Sequence, residues 1–228
     1  MKYPNKYQLT LDQTIFLAKK RLVSQVYHIS RFENCKTTLL QTEKILQNRN
    51  DIGVSPDDIG VIIALKRGFD YIFHYLKNNI NNAICFDLVL MKKINSIVAI
   101  YDALDAGNLR TGKVGVTLYN GERHEPNPVN ENQINEFLLS FDDNISHTHK
   151  AILIMLFMMR NQLFWDGNKR TAILFANSLM INYGCGLIEI DEHNFDEFNM
   201  KLSNFYQSGD GDELVNFIYH HCIFGMTV

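Results

Sequence analysis

The stretch that decides the fold reads Ala151-Ile-Leu-Ile-Met-Leu-Phe-Met-Met159, then Asn161-Gln-Leu-Phe-Trp-Asp-Gly-Asn-Lys-Arg-Thr-Ala172. From Ile145 to Met159 the chain is apolar nearly all round, the mark of a central, buried helix. The character then changes to dense polarity. Asp166-Gly167-Asn168 is a tight-turn sequence, and Gly167 can take positive φ without steric cost. A second helix is expected over Asn168–Tyr183. A turn that opens a helix leaves several backbone N–H groups pointing outward at the positive end of the helix dipole, which is a cradle for an anion. Lys169 and Arg170 add cations beside it, and a guanidinium can fork onto phosphate. Asp166 could hold Mg²⁺, an ion that takes one or two carboxylates together with substrate oxygens. The same residues also make an ordinary loop and a solvated helix start.

Outward from this stretch, apolar spacing predicts helices over Leu9–Tyr27, Thr38–Gln47, Ser55–Leu76 and Ile84–Leu104. Further helices are expected over Gln133–Ser140, Phe195–Tyr206 and Asp212–His221. Ser55-Pro56-Asp57-Asp58 is a complete helix start, with a capping serine, proline at the first helical position and acids in the first turn. Between the two halves, Val114-Gly-Val-Thr-Leu118 alternates with period two, and Asn120-Gly121 is a hairpin turn returning through Glu122–Glu125. The fold class is therefore all-α with one β-hairpin. Gly184-Cys-Gly186 reads as a helix C-cap. Ser208-Gly-Asp-Gly-Asp212 lacks calcium-loop spacing and reads as a turn with an N-cap.

The 228 residues carry 22 Lys+Arg against 25 Asp+Glu, a net charge of -3. That balance argues against a chain wrapped on nucleic acid by bulk charge. Met1–Leu11 is polar, and the run Ala151–Met159 is too short to span a bilayer, so no membrane partner is expected. Cys35, Cys85, Cys185 and Cys222 are scattered, without a C-x-x-C pair, as in a reducing compartment. A cytoplasmic protein is expected.

The polar stretch resembles the signature of the Fic (filamentation induced by cAMP) family, H-x-F-x-(D/E)-G-N-G-R-x-x-R. Phe164, Asp166, Gly167, Asn168 and Arg170 match in register, and Lys169-Arg170-Thr171-Ala172 is similar to the Doc branch. Gly107-Asn-Leu-Arg110 through Pro128 resembles the family's flap, the hairpin before the active-site helix. Ser30-Arg-Phe-Glu33-Asn34 resembles the inhibitory segment (S/T)-x-x-x-E-(G/N), with Ile29 in the Ser/Thr position and Ser30 adjacent to it. The resemblance implies a helical bundle with a flap at about 110–128, an N-terminal helical segment 1–48 carrying Ser30, Glu33 and Asn34, and a Fic-like core over 49–228. It implies transfer of part of a nucleoside triphosphate, usually AMP from Mg²⁺–ATP, onto a protein hydroxyl. Asp166 would then be the metal ligand, and Gly167, Asn168, Lys169 and Arg170 the phosphate site. Val114, Gly115, Val116, Thr117 and Leu118 would be the edge that docks a target protein.

Three of the eight specified positions depart. Gln162 stands where the family has its general-base histidine, and an amide cannot accept the hydroxyl proton near neutral pH. His147 and His149 lie three to four helical turns upstream. His124, in the flap, is expected to be solvent-exposed. Lys169 replaces a glycine, the Doc-like choice, which accompanies phosphate transfer. Ile173 replaces the arginine that should meet the inhibitory glutamate, so Glu33 either caps Asn34–Cys35 or pairs with Arg170. Three functions are therefore open: a weakened AMP transferase, a pseudoenzyme that binds nucleotide or protein, and a Doc-like phosphotransferase toxin. Trp165 reads either as packing or as a lid over a base.

Overall fold

Thr10 and Gln13 close a reciprocal capping box on the first helix, α1 (Leu11–Lys20). The computed structural model describes residues 2–49, 53–80, 84–142 and 144–226. The single helix expected over Leu9–Tyr27 breaks at Arg21, where ψ opens to 2°, and restarts as α2 (Leu22–Ser30). The break frees Arg21 to reach a buried carboxylate far along the chain. A 3₁₀ turn, Arg31–Glu33, follows and stops at Asn34 in the left-handed region, φ 58°. Thr38 and Gln41 cap α3 (Leu39–Leu46) in the same reciprocal way. Ser55 and Pro56 open α4 (Pro56–Asn78) as the sequence indicates.

Helix α5 (Leu88–Val98) is shorter than the expected Ile84–Leu104. Asp87 caps its first turn. Beyond Ala99 the chain doubles back, and the Gly107 N–H donates to Asn95 Oδ1 at 2.8 Å. The flap strands β1 (Val116–Thr117) and β2 (Arg123–His124) pair antiparallel, Val116 opposite His124, with Gly121 at φ 83° in the turn. Then come α6 (Glu131–Leu139), α7 (His147–Asn161), α8 (Asn168–Asn182), β3 (Leu187–Ile188), α9 (Phe195–Ser208), α10 (Asp212–His221) and β4 (Ile223–Phe224). Strands β3 and β4 form a second antiparallel pair that no sequence pattern announced.

Helices α7 and α8 pack side by side at the centre, with α5 against α8. The most enclosed helix is α8, with 13 of its 15 residues buried, against 8 of 15 for α7. This corrects the expectation for α7, whose Leu153 and Phe157 reach only partial burial. Residues of the N-terminal helices, such as Val26 and Ile29, belong to the same apolar core as α7 and α8. No helix among the described residues is long and apolar enough to cross a membrane.

One buried carboxylate ties α2 to β3. Glu189 follows β3 and accepts from Arg21 Nη2 at 2.6 Å, Ser24 Oγ at 2.5 Å and Gln25 Nε2 at 3.3 Å, with His28 Nδ1 at 3.0 Å. Positions 21, 24, 25 and 28 share one helical face. Burial alone would raise the Glu189 pKa, but these donors outweigh it and hold it at about 2. A depressed carboxylate pKa gives stability that is present above about pH 4.5 and lost as pH falls toward 2, worth roughly 3 kcal/mol. Urea unfolding between pH 5 and pH 2 should show this loss in the parent, and a smaller one in Glu189→Gln.

Candidate active site

The loop between α7 and α8 is organised by side chains that bond to main chain. Phe164 N–H donates to Asn168 Oδ1, and Asn168 Nδ2 returns to the Phe164 carbonyl, both at 2.9 Å. Asn168 is thus a brace, its side chain committed to the Phe164 main chain. Phe164 is wholly buried and bridges to Leu109 at the root of the flap. Asn95 of α5 donates to the Asp166 carbonyl and to Thr171 Oγ1, each at 3.0 Å. Gly167 sits at φ 69°, and a Cβ there would lie 2.7 Å from Ala99 Cβ. The backbone N–H groups of Asn168, Lys169 and Arg170 form the first turn of α8, ahead of the first ladder bond from Thr171 to the Gly167 carbonyl.

Arg170 is wholly buried. Its Nε meets Glu33 Oε1 at 2.7 Å, and its Nη1 meets Asp102 Oδ2 at 2.7 Å and the Val98 carbonyl at 2.6 Å. Burial alone would lower its pKa; Glu33, then Asp102 and Asp166, outweigh that and hold it above the usual arginine value. Of the two partners open to Glu33 in the sequence, the fold therefore selects Arg170. Nη2 has no hydrogen-bond partner and lies 3.6 Å from Asp166 Oδ1. Asp166 is exposed, and its Oδ1 accepts from Gly167 N–H at 2.5 Å. Lys169 is half-buried; burial lowers its pKa, partly offset by Glu33 and Asp166. Ser30 donates to the Tyr27 carbonyl, and Ile29 and Ile173 are core residues.

Gln162 ends α7 in the left-handed region, φ 45°. Its amide folds back and donates to the Met159 carbonyl at 2.6 Å. Arg110 holds this helix end through the carbonyls of Gln162 (2.6 Å) and Asn161 (3.3 Å). It also holds both legs of the flap through the carbonyls of Gly112 (2.7 Å) and Asn127 (2.6 Å). His124 is not free in solvent as expected. Its Nε2 carries the proton that bonds the Arg160 carbonyl at 2.9 Å, and its ring stacks on Tyr206 with centroids 5.0 Å apart. His147 and His149 stand in the first turn of α7, at the other end from Gln162.

Residues 85–180 match the Fic/DOC family. That segment holds the motif loop, the flap, Asn95, Asp102 and Arg170; Glu33 lies before it. Over 185 residues, 79% of this chain, the protein is 24% identical to the protein adenylyltransferase Fic of Nematostella vectensis, of whose length it spans only 43%. In fold it is similar to a Fic domain containing signalling protein from Bacteroides thetaiotaomicron, with a TM-score of 0.74 at 17% identity over 92% of this chain and 86% of that one. It is also similar to Fic-1 from C. elegans, with a TM-score of 0.69 at 22% identity over 89% and 60%. The Fic-like helical fold read from the sequence therefore holds.

The flap hairpin itself is short. Val114 and Val116 are half-buried, Gly115 and Thr117 exposed, and Leu118 buried. Tyr119 N–H donates to Ser203 Oγ at 2.6 Å, which pins the turn on α9. Trp165 packs against the flap root, where a Cβ on Gly112 would lie 2.6 Å from its ring. Asn95, Asp102 and Tyr206 were not legible as site residues, because only the tertiary fold brings them to the loop. Gly167→Ala should cost at least about 2 kcal/mol in urea unfolding, from positive φ plus the clash with Ala99.

Proposed function

We propose that this chain is a Fic-type nucleotide-binding protein held shut by its own Glu33, with slow transfer of AMP to a protein hydroxyl. The observation that carries the reading is the 2.7 Å Glu33–Arg170 pair inside the motif loop. The free N–H groups of residues 168–170 and the Lys169 ammonium receive phosphate oxygens. Arg170 joins them once Glu33 withdraws. The described residues contain no cluster of three or more side chains able to hold a metal alone. Asp166 is exposed and fits Mg²⁺ shared with nucleotide phosphates, where the ion would neutralise phosphate charge. A target segment would add to the flap edge at Val114–Leu118 and present its hydroxyl near Gln162.

Gln162 can orient that hydroxyl but cannot take its proton, a function worth ~10²–10⁴-fold in rate. The name of the Nematostella relative supports AMP as the transferred group. A second reading, a nucleotide-binding module without chemistry, is favoured by the Gln162 amide bonding back to Met159.

Calorimetric titration with ATP and Mg²⁺ tests the latch. Glu33→Ala should tighten binding by roughly tenfold, the factor expected if the shut form outweighs the open one by about ten to one. Arg170→Ala should abolish binding in that background, and equal affinity in parent and Glu33→Ala would overturn the latch. Gln162→His in the same background should incorporate label from α-³²P-ATP into the protein. Absence of label there, with ATP bound, would leave the module reading.

A further inference from the structure

Helix α7 runs through the middle of the fold, yet Leu153, Phe157 and Arg160 are only half-buried. Positions 149, 153, 156, 157 and 160 share one helical face. That face looks into an open cavity of about 320 Å³, closed by Phe137 of α6, Phe205 at the end of α9 and Val215 of α10. Phe137 and Phe157 stack with ring centroids 3.9 Å apart, so much of the wall is aromatic. No residue of the loop 162–170 lines this cavity, which lies apart from the site described above.

One charge in the wall has no counter-ion. Arg160 Nε donates to the Phe205 carbonyl at 3.2 Å. The guanidinium lies over Gly209, where a Cβ would stand 3.2 Å from Nη2. Neither Nη1 nor Nη2 makes an ion pair or a hydrogen bond among the described residues. The other titratable groups of the lining are matched or neutral. Asp212 is exposed in the first turn of α10 and pairs with Lys2 at 3.6 Å. Burial, then Lys2, push the His149 pKa below its ordinary value against the opposing pull of Asp212, so the imidazole is neutral at pH 7. Asn161 also lines the cavity, and its Nδ2 is spent on the Phe157 carbonyl at 2.8 Å.

The cavity is therefore apolar along its length and cationic at one end. Arg160 and His149 stand eleven residues apart on α7, about 16 Å along the helix axis. The two free Nη groups present N–H pairs in one plane, a fork that a carboxylate meets with both oxygens. One guanidinium balances one negative charge, which suits a monoanion better than a phosphate dianion. We propose that this cavity binds a compact monocarboxylic acid, its carboxylate on Arg160 and its apolar body along Leu153, Phe157 and Val215. The volume equals that of about ten waters, which sets the ligand at roughly ten non-hydrogen atoms, the size of a medium-chain fatty acid. The proposal stands independently of the nucleotide reading.

The test is a saturation-transfer NMR titration of the whole chain with octanoate and with its neutral twin, octanamide. Octanoate should bind about tenfold tighter, the factor expected of a charge-assisted pair. Arg160→Gln should bring the two ligands within about twofold of each other, and Arg160→Lys, which keeps the charge without the fork, should retain a preference of about threefold. Leu153→Trp, which fills the cavity from its half-open side, should abolish binding of both. Thermal melting checks that each variant is folded, and if Arg160→Gln is not, Arg160→Lys and Leu153→Trp decide. Absence of octanoate binding, equal affinity for the two ligands, a preference that survives Arg160→Gln, or undiminished binding in Leu153→Trp overturns the proposal. So does displacement of octanoate by an equal concentration of inorganic phosphate, which would make this a site for charge alone. Displacement by an equal concentration of a short capped acidic peptide overturns it too, by making the cavity a docking site for a protein segment.

Discussion

A full positive charge sits in the core of this protein, and the geometry of the site follows from it. Arg170 has no solvent exposure. Taking a guanidinium out of water costs several kcal/mol unless carboxylates and carbonyls replace the lost hydration. The replacements come from three places: Glu33 after α2, Asp102 after α5 and the Val98 carbonyl at the end of α5. The charge therefore fixes where the N-terminal helices and the turn after α5 lie relative to the motif loop. Such a pair adds little net stability compared with an apolar core. Its strength is that removing one partner leaves a buried charge exposed to the full desolvation penalty.

That arrangement also sets the electrostatics of the first turn of α8. Around the first turn of α8 stand two cations, Lys169 and Arg170, and three carboxylates, Glu33, Asp102 and Asp166. The local sum is -1 with Glu33 in place and zero without it. If the proposed phosphate site is right, a phosphate and Glu33 would compete for one guanidinium, and each would oppose the other by the same free energy. Glu189 extends the coupling. It grips the face of α2 formed by residues 21, 24, 25 and 28, and the same helix leads through the Arg31–Glu33 turn to the Glu33–Arg170 pair.

What was legible in the sequence was local. The capped start of α4, the hairpin turn at Asn120-Gly121, the extent of α10 and the opening of α8 all rest on neighbouring residues, and they lie where pattern put them. The break at Arg21 was not legible, because its cause is a carboxylate 168 residues away. The β3–β4 pair is two residues long on each side, too short to leave a period. In the site, Gln162, Lys169 and Ile173 declared themselves by departing from a pattern. The partner of Glu33 stayed open because Arg170 lies 137 residues on, and Asp102 gave no signal in a polar, exposed turn.

The end of α7 and the flap share one clamp that does not involve the side chain at position 162. The end of α7 is held by Arg110 through the carbonyls of Asn161 and Gln162, and the flap by the same guanidinium through the carbonyls of Gly112 and Asn127. All four acceptors are main chain, and the C-terminal end of the helix supplies the negative potential that a carboxylate would otherwise give. Nothing in this clamp depends on which side chain position 162 carries. The side chain at position 162 can therefore vary while the loop and the flap keep their places, and the Gln162 amide donates to the Met159 carbonyl. The architecture here is separable from the side chain at position 162, because one arginine builds it out of backbone.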